Sequence, residues 1–244
     1  MPTKPWVEGP MELLKHGFEH LSLKSPFDTR IAMISIDNAV ELMIKTYLGL
    51  PRRVTGIEGL SRKKYNEISQ SFPSLIEGLE MYASNKIVGI ELGDIEWYHR
   101  LRNQLYHDGN GITVEKEKVQ AYAEIAKILF VNLFEVQDAI ENLVEEGSHS
   151  LVGEFLINWA KLEQEIVFLE SKHLKARVAK PISVHQAIIH LDRDHFLPNT
   201  FIHQFRSILN FRNQLIHGSD SPSTKELVLY TDKTKELLRI IKSI

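Results

Sequence analysis

The sequence predicts an all-α protein built from two helical bundles. Glycine and proline are few, 13 and 9 in 244 residues, and they concentrate between long stretches whose apolar residues recur at helical spacing. A polar segment at residues 145–148, Glu-Glu-Gly-Ser, separates two stretches of similar plan. We therefore predict an N-terminal domain over residues 1–146 and a C-terminal domain over residues 147–244.

Five helices are predicted in the first half. They cover residues 11–23, 30–48, 65–83, 94–107 and 114–144. Asp28 or Thr29 can cap the second helix, Pro73 is a point of interruption in the third, and Asp94 has the position of an N-cap. The helix over residues 30–48 is apolar on nearly every face, which predicts a place in the middle of a bundle.

Polar residues on this central helix need partners inside the bundle or in a cleft. Asp37, Asn38 and Glu41 are among the few polar side chains between its apolar residues. Burying such groups without a hydrogen bond is unfavourable.

Four helices are predicted in the second half. They cover residues 151–174, 183–191, 199–217 and 225–244, with Asn199 or Thr200 as the cap of the third. The segment 226–231 also has the composition of a strand, but the leucines and isoleucines that follow it favour a helix.

Composition excludes several classes of protein. A formal charge of −3 excludes a polybasic protein that holds nucleic acid by bulk charge. The absence of cysteine excludes disulfides, zinc–thiolate sites, iron–sulfur clusters and a cysteine nucleophile. The sequence contains no phosphate-binding glycine loop, no dinucleotide-binding turn and no zinc-protease motif. No signal-peptide core and no membrane-length apolar run occur, so we expect a soluble, cytoplasmic protein.

The most informative feature is an internal repeat. The hexapeptide Arg-Asn-Gln-Leu-Tyr-His at residues 102–107 recurs as Arg-Asn-Gln-Leu-Ile-His at residues 212–217. Both copies end a predicted helix before a break that contains glycine. Each follows an earlier helix with an acid among apolar residues, Glu41 in one half and Glu163 in the other. We interpret the two halves as a duplication.

This repeated motif resembles the signature of the HEPN superfamily, in which an arginine is followed, four to six residues later, by a histidine. The spacing here is four in both halves, and an asparagine follows the arginine, as it often does in active members. The central helix over residues 30–48 is also similar to that of the family. The resemblance spans about residues 10–145 and again 150–244, and its specific part is the motif.

The resemblance implies an endoribonuclease that needs no metal or other cofactor, and in which two motifs meet in one cleft. Two copies in one chain would build that cleft as an intramolecular pseudodimer. The implied catalytic residues are Arg102, Asn103, His107, Arg212, Asn213 and His217. Many members of the family are toxins or act in defence against phage, and others have lost activity. One branch has a tyrosine two residues after the histidine, where this chain has Gly109 and Ser219, so we predict no regulation by tyrosine modification.

These residue types suit RNA cleavage on chemical grounds as well. Histidine exchanges protons near neutral pH, arginine offers a planar fork for phosphate oxygens, and asparagine supplies a neutral donor and acceptor. Two histidines acting as base and acid would give 2′,3′-cyclic phosphate and 5′-hydroxyl ends. Arginine and histidine five positions apart lie about 140° around an ideal helix. They converge only if the last turn distorts or if both halves contribute to the cleft. Glu41 and Glu163 are candidates to hold Arg102 and Arg212.

Other interpretations stay open at the level of sequence. The chain is alternatively a catalytically inactive helical module that binds a protein partner, or a regulator that binds RNA or a nucleotide. A neutralising protein partner and a homodimer are both compatible with the sequence.

Further clusters are consistent with a site or with ordinary structure. His16 and His20 have the spacing of a metal pair, and residues 190–195 contain several metal-type ligands around a turn. The basic runs at residues 52–53, 62–64 and 172–180 would steer RNA or form solvated faces. Trp97 and Trp159 are predicted to belong to the core.

Overall fold

The computed structural model describes residues 4–23, 25–107, 114–136, 150–173, 183–218 and 220–244. These residues form helices and connectors, with no β-strand among them, which confirms the predicted all-α class. The chain divides into two compact units, Met1–Ser148 and His149–Ile244. The polar segment 145–148, predicted as the boundary, lies outside the described residues. In the described part of the chain, no helix has the length and apolar character needed to span a membrane.

The first unit is organised around one central helix. Its helices are α1 (Pro5–Ser22), α2 (Pro26–Gly49), α3 (Arg52–Thr55), α4 (Arg62–Ile68), α5 (Phe72–Ala83), α6 (Leu92–His107) and α7 (Lys116–Phe134). The central helix α2 contacts α1, α5, α6 and α7. Its side chains at Met33, Ile36, Val40 and Ile44 are fully buried, so the predicted central position is confirmed.

Capping side chains set the helix boundaries where they differ from the prediction. Ser25, not Asp28 or Thr29, caps α2, because its hydroxyl accepts a hydrogen bond from the Asp28 amide. Ser71 caps α5, and Pro73 follows two residues later in the first turn, where a missing N–H costs nothing. The helix predicted over residues 65–83 is therefore two helices, and the interruption lies at residues 69–71, before Pro73 and not at it.

Two other ends in this unit also differ from the prediction. The first helix begins at Pro5, six residues before the predicted start, and includes Pro10. The last helix ends at Phe134 with Glu135 in the left-handed conformation, at a φ of 56°. The continuation predicted to residue 144 falls on residues outside the described part from 137 onwards.

The second unit is smaller, and the residues described in it form four helices. They are α8 (Leu151–His173), α9 (Val184–Arg193), α10 (Asn199–His217) and α11 (Thr224–Ser243). Helix α8 packs against α9 and α11, and aromatic rings join α8 to α10. The Trp159 ring stacks on Phe205 with centroids 5.1 Å apart, and Trp159 is 2% exposed, which confirms its predicted place in the core.

Two of these helices begin with a capping box. At the start of α11, the Ser223 hydroxyl accepts from the Glu226 amide, and the Glu226 carboxylate accepts from the Ser223 amide. This reciprocal cap fixes the segment 226–231 as helix, so the strand alternative is excluded. Ser183 and Gln186 form the equivalent box at the start of α9.

Candidate functional site

Arg102 of the first motif lies in a set of polar contacts between α6 and α2. Its Nε donates a hydrogen bond to Asp37 Oδ2 at 2.6 Å, and its Nη1 donates to Asn103 Oδ1 at 2.8 Å. Nη2 lies 3.6 Å from Glu41 Oε2, so the predicted ion pair with Glu41 is present. Arginine carries five N–H donors, and the two hydrogen bonds use one on Nε and one on Nη1.

Asp37 is the centre of this network, and it is fully buried. Its Oδ2 also accepts from His99 Nδ1 at 3.0 Å, and its Oδ1 accepts from the Tyr122 hydroxyl at 2.8 Å. Three side chains from two helices therefore donate to one carboxylate. Burial of a charged group requires partners of this kind.

The sequence predicts Glu41 as the acid that holds Arg102 and indicates Asp37 only as a polar residue in need of partners. The structure places both acids against Arg102, with Asp37 making the shorter contact. The signal for Asp37 was present, because residues four apart share one face of a helix.

Tyr122 is buried beneath the Asp37 carboxylate. Burial raises the pKa of its phenol well above the ordinary value of 10.0, and the charge of Asp37 and the hydrogen bond to it raise it further. The Tyr98 ring stacks on it, with centroids 4.3 Å apart. This phenol therefore stays protonated where an exposed tyrosine ionises, and it remains a donor to Asp37.

A raised pKa predicts a loss of stability in alkali. Above about pH 10 an unfolded chain releases the Tyr122 proton, whereas the folded protein retains it until its own higher pKa is reached. In that window, wild type is expected to lose about 1.4 kcal/mol per pH unit more than Tyr122→Phe. Urea unfolding at a series of alkaline pH values measures the difference, and equal slopes for the two proteins would contradict it. Tyr106→Phe, which changes an exposed tyrosine, is the control.

The remaining residues of the first motif face solvent to different degrees. His107 is exposed at the end of α6, Asn103 is half-buried and Tyr106 is 66% exposed. Because α6 is α-helical through His107, Arg102 and His107 point about 140° apart around its axis. The last turn does not bring them together within the first unit.

The second motif repeats one contact of the first, the hydrogen bond between its arginine and its asparagine. Arg212 Nη1 donates to Asn213 Oδ1 at 3.3 Å, as Arg102 does to Asn103. Asn213 and His217 are exposed at the end of α10, while Arg212 is only 5% exposed. The predicted supporting acid of this half, Glu163 on α8, is also buried, at 3% exposure.

One position distinguishes the two copies. Tyr106 extends into solvent, whereas its counterpart Ile216 is fully buried. The side chain of Arg102 is 16% exposed, so some solvent reaches the first arginine. The repeated sequence thus has a more accessible arginine in the first unit and a more deeply packed one in the second.

The other histidine clusters have protein partners. His16 Nδ1 is hydrogen-bonded to Ser35 and His20 Nδ1 to Asp28, each at 2.9 Å. Bonds from Ser25 and then His20 lower the pKa of Asp28. His190 bonds to the buried Glu170 at 2.8 Å. Among the residues that the structure describes, no three His, Asp or Glu side chains are grouped as they would be around a metal ion.

No protein-family model, curated protein or solved structure matches the chain. The fold and the site define an all-α protein of two units, each of which ends a helix with the same arginine, asparagine and histidine. Assignment of a function therefore depends on these residues and their contacts.

Proposed function

We propose that the protein is a metal-independent endoribonuclease of HEPN type that uses both motifs. The observation that carries this proposal is the fixed guanidinium of Arg102. Its Nε is hydrogen-bonded to the buried Asp37, and this bond holds the group in place. One N–H on Nη1 and the N–H groups on Nη2, which lies 3.6 Å from Glu41, are not used in hydrogen bonds with the described residues and can donate to a phosphate. An exposed histidine follows on the same helix, and the second unit repeats the arginine–asparagine contact.

The proposed reaction is an in-line transfer within the RNA strand. One of the two motif histidines, His107 or His217, removes the proton from a ribose 2′-hydroxyl, and the 2′-oxygen bonds to the adjacent phosphorus. The bond from phosphorus to the 5′-oxygen breaks, and the other histidine gives that oxygen a proton. The products are a 2′,3′-cyclic phosphate and a 5′-hydroxyl. Arginine stabilises the charge on the non-bridging oxygens.

The asparagines have an orienting role in this proposal. Since Nη1 of each arginine donates to Oδ1 of Asn103 or Asn213, the amide NH₂ group of each asparagine is directed away from its arginine. An amide held in this way can donate to an RNA oxygen. The hydrogen bond therefore fixes both the arginine and the direction of the asparagine donor.

The direction of the side chains on α6 supports a cleft with two motifs. Arg102 and His107 diverge around the helix, so one copy alone does not place a base and a guanidinium on the same phosphate. We propose that the two motifs of one chain combine as a pseudodimer. Mixing inactive His107→Ala and inactive His217→Ala proteins should then restore no cleavage, whereas recovery of activity in the mixture would indicate a cleft between two chains.

Incubation with RNA in EDTA tests the proposed activity. We expect wild type to cleave, and His107→Ala and His217→Ala each to be slower by about 10² to 10⁴, the usual contribution of acid–base catalysis. His203→Ala, which removes another exposed histidine on α10, is the matched control and should cleave like wild type. Mass spectrometry of the products should show cyclic phosphate ends. Equal cleavage by wild type and both motif variants would identify a contaminating ribonuclease.

A biological role as a toxin or phage-defence effector would follow from this activity. Expression in a bacterial host should then arrest growth, and His107→Ala should relieve the arrest. A partner protein that neutralises the enzyme would be expected in that case.

One observation favours a second candidate, a catalytically inactive helical module that binds a protein partner, RNA or a nucleotide. Arg212 is only 5% exposed, as is usual for an arginine with a structural role. This candidate predicts ligand binding with no turnover in the same assay.

A further inference from the structure

Basic side chains concentrate in one segment of the otherwise acidic first unit. Residues 1–148 contain 16 Lys and Arg against 22 Asp and Glu. Between residues 45 and 64 there are six basic residues and one acidic residue, Glu58. The six, called here the basic surface, are Lys45, Arg52, Arg53, Arg62, Lys63 and Lys64. The positive charge of this unit is therefore segregated, although its net charge is negative.

The fold brings this segment together at the C-terminal end of α2. The Tyr65 hydroxyl on α4 donates to the carbonyl oxygen of Lys45 at 3.1 Å. A methyl group at Gly49 would lie 3.0 Å from that hydroxyl, so glycine allows Tyr65 to approach α2 closely. The guanidinium carbon of Arg62 lies 5.9 Å from the centre of the Tyr65 ring. Helix α4 is thus docked on the end of α2, with the short α3 between them in the chain.

Three of the six basic residues have no acidic partner in the described part of the chain. Arg52 pairs with Glu58, and Lys64 pairs with Glu67 at 3.4 Å. Arg53, Arg62 and Lys63 are exposed and form no ion pair with any residue that the structure describes. Exposed positive charges grouped in this way attract a polyanion.

One residue of the basic surface, Lys45, adjoins the Arg102 site. Lys45 Nζ lies 2.5 Å from Glu41 Oε1, and the other oxygen of Glu41 lies 3.6 Å from Arg102 Nη2. Helices α2 and α6 run in the same direction where they touch, because His99 contacts Asp37 and the later residue Arg102 contacts the later residue Glu41. Lys45, in the last turns of α2, therefore lies one helical turn beyond Glu41 and next to the Arg102 site.

We propose that the basic surface binds the phosphate backbone of single-stranded RNA and leads the strand to the Arg102 site. This inference rests on the proposed function. Interfaces between proteins are depleted of lysine, whereas three of the six basic residues here are lysines. This lysine content, and the position of Lys45 next to the arginine that is proposed to bind phosphate, favour RNA over an acidic protein.

The test measures binding of a 2′-O-methyl RNA oligonucleotide, which cannot be cleaved through a 2′-hydroxyl. The test variant combines Arg53→Ala, Arg62→Ala and Lys63→Ala, none of which removes an ion pair within the described residues. We expect affinity at low salt to fall at least tenfold. The slope of log affinity against log salt should fall by about 2, since each phosphate contact contributes about 0.7 for a single strand.

The control variant removes three exposed lysines outside the basic surface, Lys15, Lys225 and Lys242, and so makes the same change in net charge. It should bind almost like wild type. Equal losses in the two triple variants would overturn the proposal, as would binding of polyglutamate with the same affinity and salt slope as the oligonucleotide.

Cleavage assays separate this proposal from the proposed function. The test variant should raise KM for a long RNA with little change in kcat. It should cleave a dinucleotide like wild type, because a dinucleotide has no phosphate beyond the one that is cleaved. If the test variant cleaves RNA with the KM and the affinity of wild type, the proposal for the basic surface is wrong and the proposed ribonuclease activity is unaffected. If wild type binds RNA in a salt-dependent way but does not cleave it, the proposed ribonuclease activity is wrong and the proposal that the basic surface binds RNA is unaffected.

Discussion

Replacing Asp37 with asparagine is expected to lower the free energy of unfolding of the first unit by about 3 kcal/mol, toward the lower end of the cost of breaking a buried ion pair. The neutral amide leaves the guanidinium of Arg102 without its closest counter-charge. An NH₂ group in place of Oδ2 would also face the donors of Arg102 and His99. The loss stays moderate because Glu41 remains 3.6 Å from Arg102.

Hydrogen–deuterium exchange measures this loss for each unit separately. Amides of α2, α6 and α7 should exchange faster in Asp37→Asn, and those of α8 and α11 should not change. A double variant, Asp37→Asn with Arg102→Met, removes both charges and should recover most of the stability while cleaving no RNA. Glu19→Gln, at an acid whose side chain is 60% exposed, should change stability by less than about 0.5 kcal/mol. A similarly small effect of Asp37→Asn would show that the buried carboxylate does not hold Arg102.

The fold class could be predicted because the helical spacing of apolar residues is clearest in the helices that are most buried. Helix α2 is apolar on nearly every face, and this alone places it at the centre of the first unit. Its start was less certain because Ser25, Asp28 and Thr29 all belong to residue types that cap helices. Pro26, which suits the first helical position, was the signal that favours Ser25.

The candidate site could be predicted only in part. The motif predicts Arg102, and an acid within an apolar helix predicts Glu41. How deeply a side chain is buried depends on how two helices cross, which the sequence does not show. Asp37 and Glu41 share a face of α2, and only the position of α6 puts Asp37 closer to Arg102. Tyr122 bonds to Asp37 from 85 residues away, a distance in sequence at which no local pattern operates. The proposed meeting of the two motifs stays a prediction.

In the second unit, Glu163 is as deeply buried as Asp37 is in the first, whereas Glu41 is partly exposed. Glu163 is 3% exposed and Asp37 is fully buried, whereas the side chain of Glu41 is 27% exposed. Arg212 is buried in the same unit, at 5% exposure. A buried charge is costly unless an opposite charge and hydrogen bonds compensate it, and Glu163 is a candidate to compensate Arg212.

We therefore expect Glu163 to form an ion pair with Arg212, although not through the Nε hydrogen bond that joins Arg102 to Asp37. Glu163→Gln and Arg212→Met should each lower the free energy of unfolding of the second unit by about 3–5 kcal/mol, because each leaves the other charge buried without its partner. The double variant should lose clearly less than the sum of the two, with a coupling energy of about 0.5–3 kcal/mol.

Hydrogen–deuterium exchange in α8 and α10 provides the measurement for this cycle. Glu165→Gln, at a neighbouring acid whose side chain is 34% exposed, is the matched control and should show no coupling to Arg212→Met. A coupling energy near zero between Glu163 and Arg212 would mean that the second unit holds its arginine differently from the first. The motif would then be repeated in sequence without the acid that fixes it, which would weaken the case for two equivalent catalytic arginines.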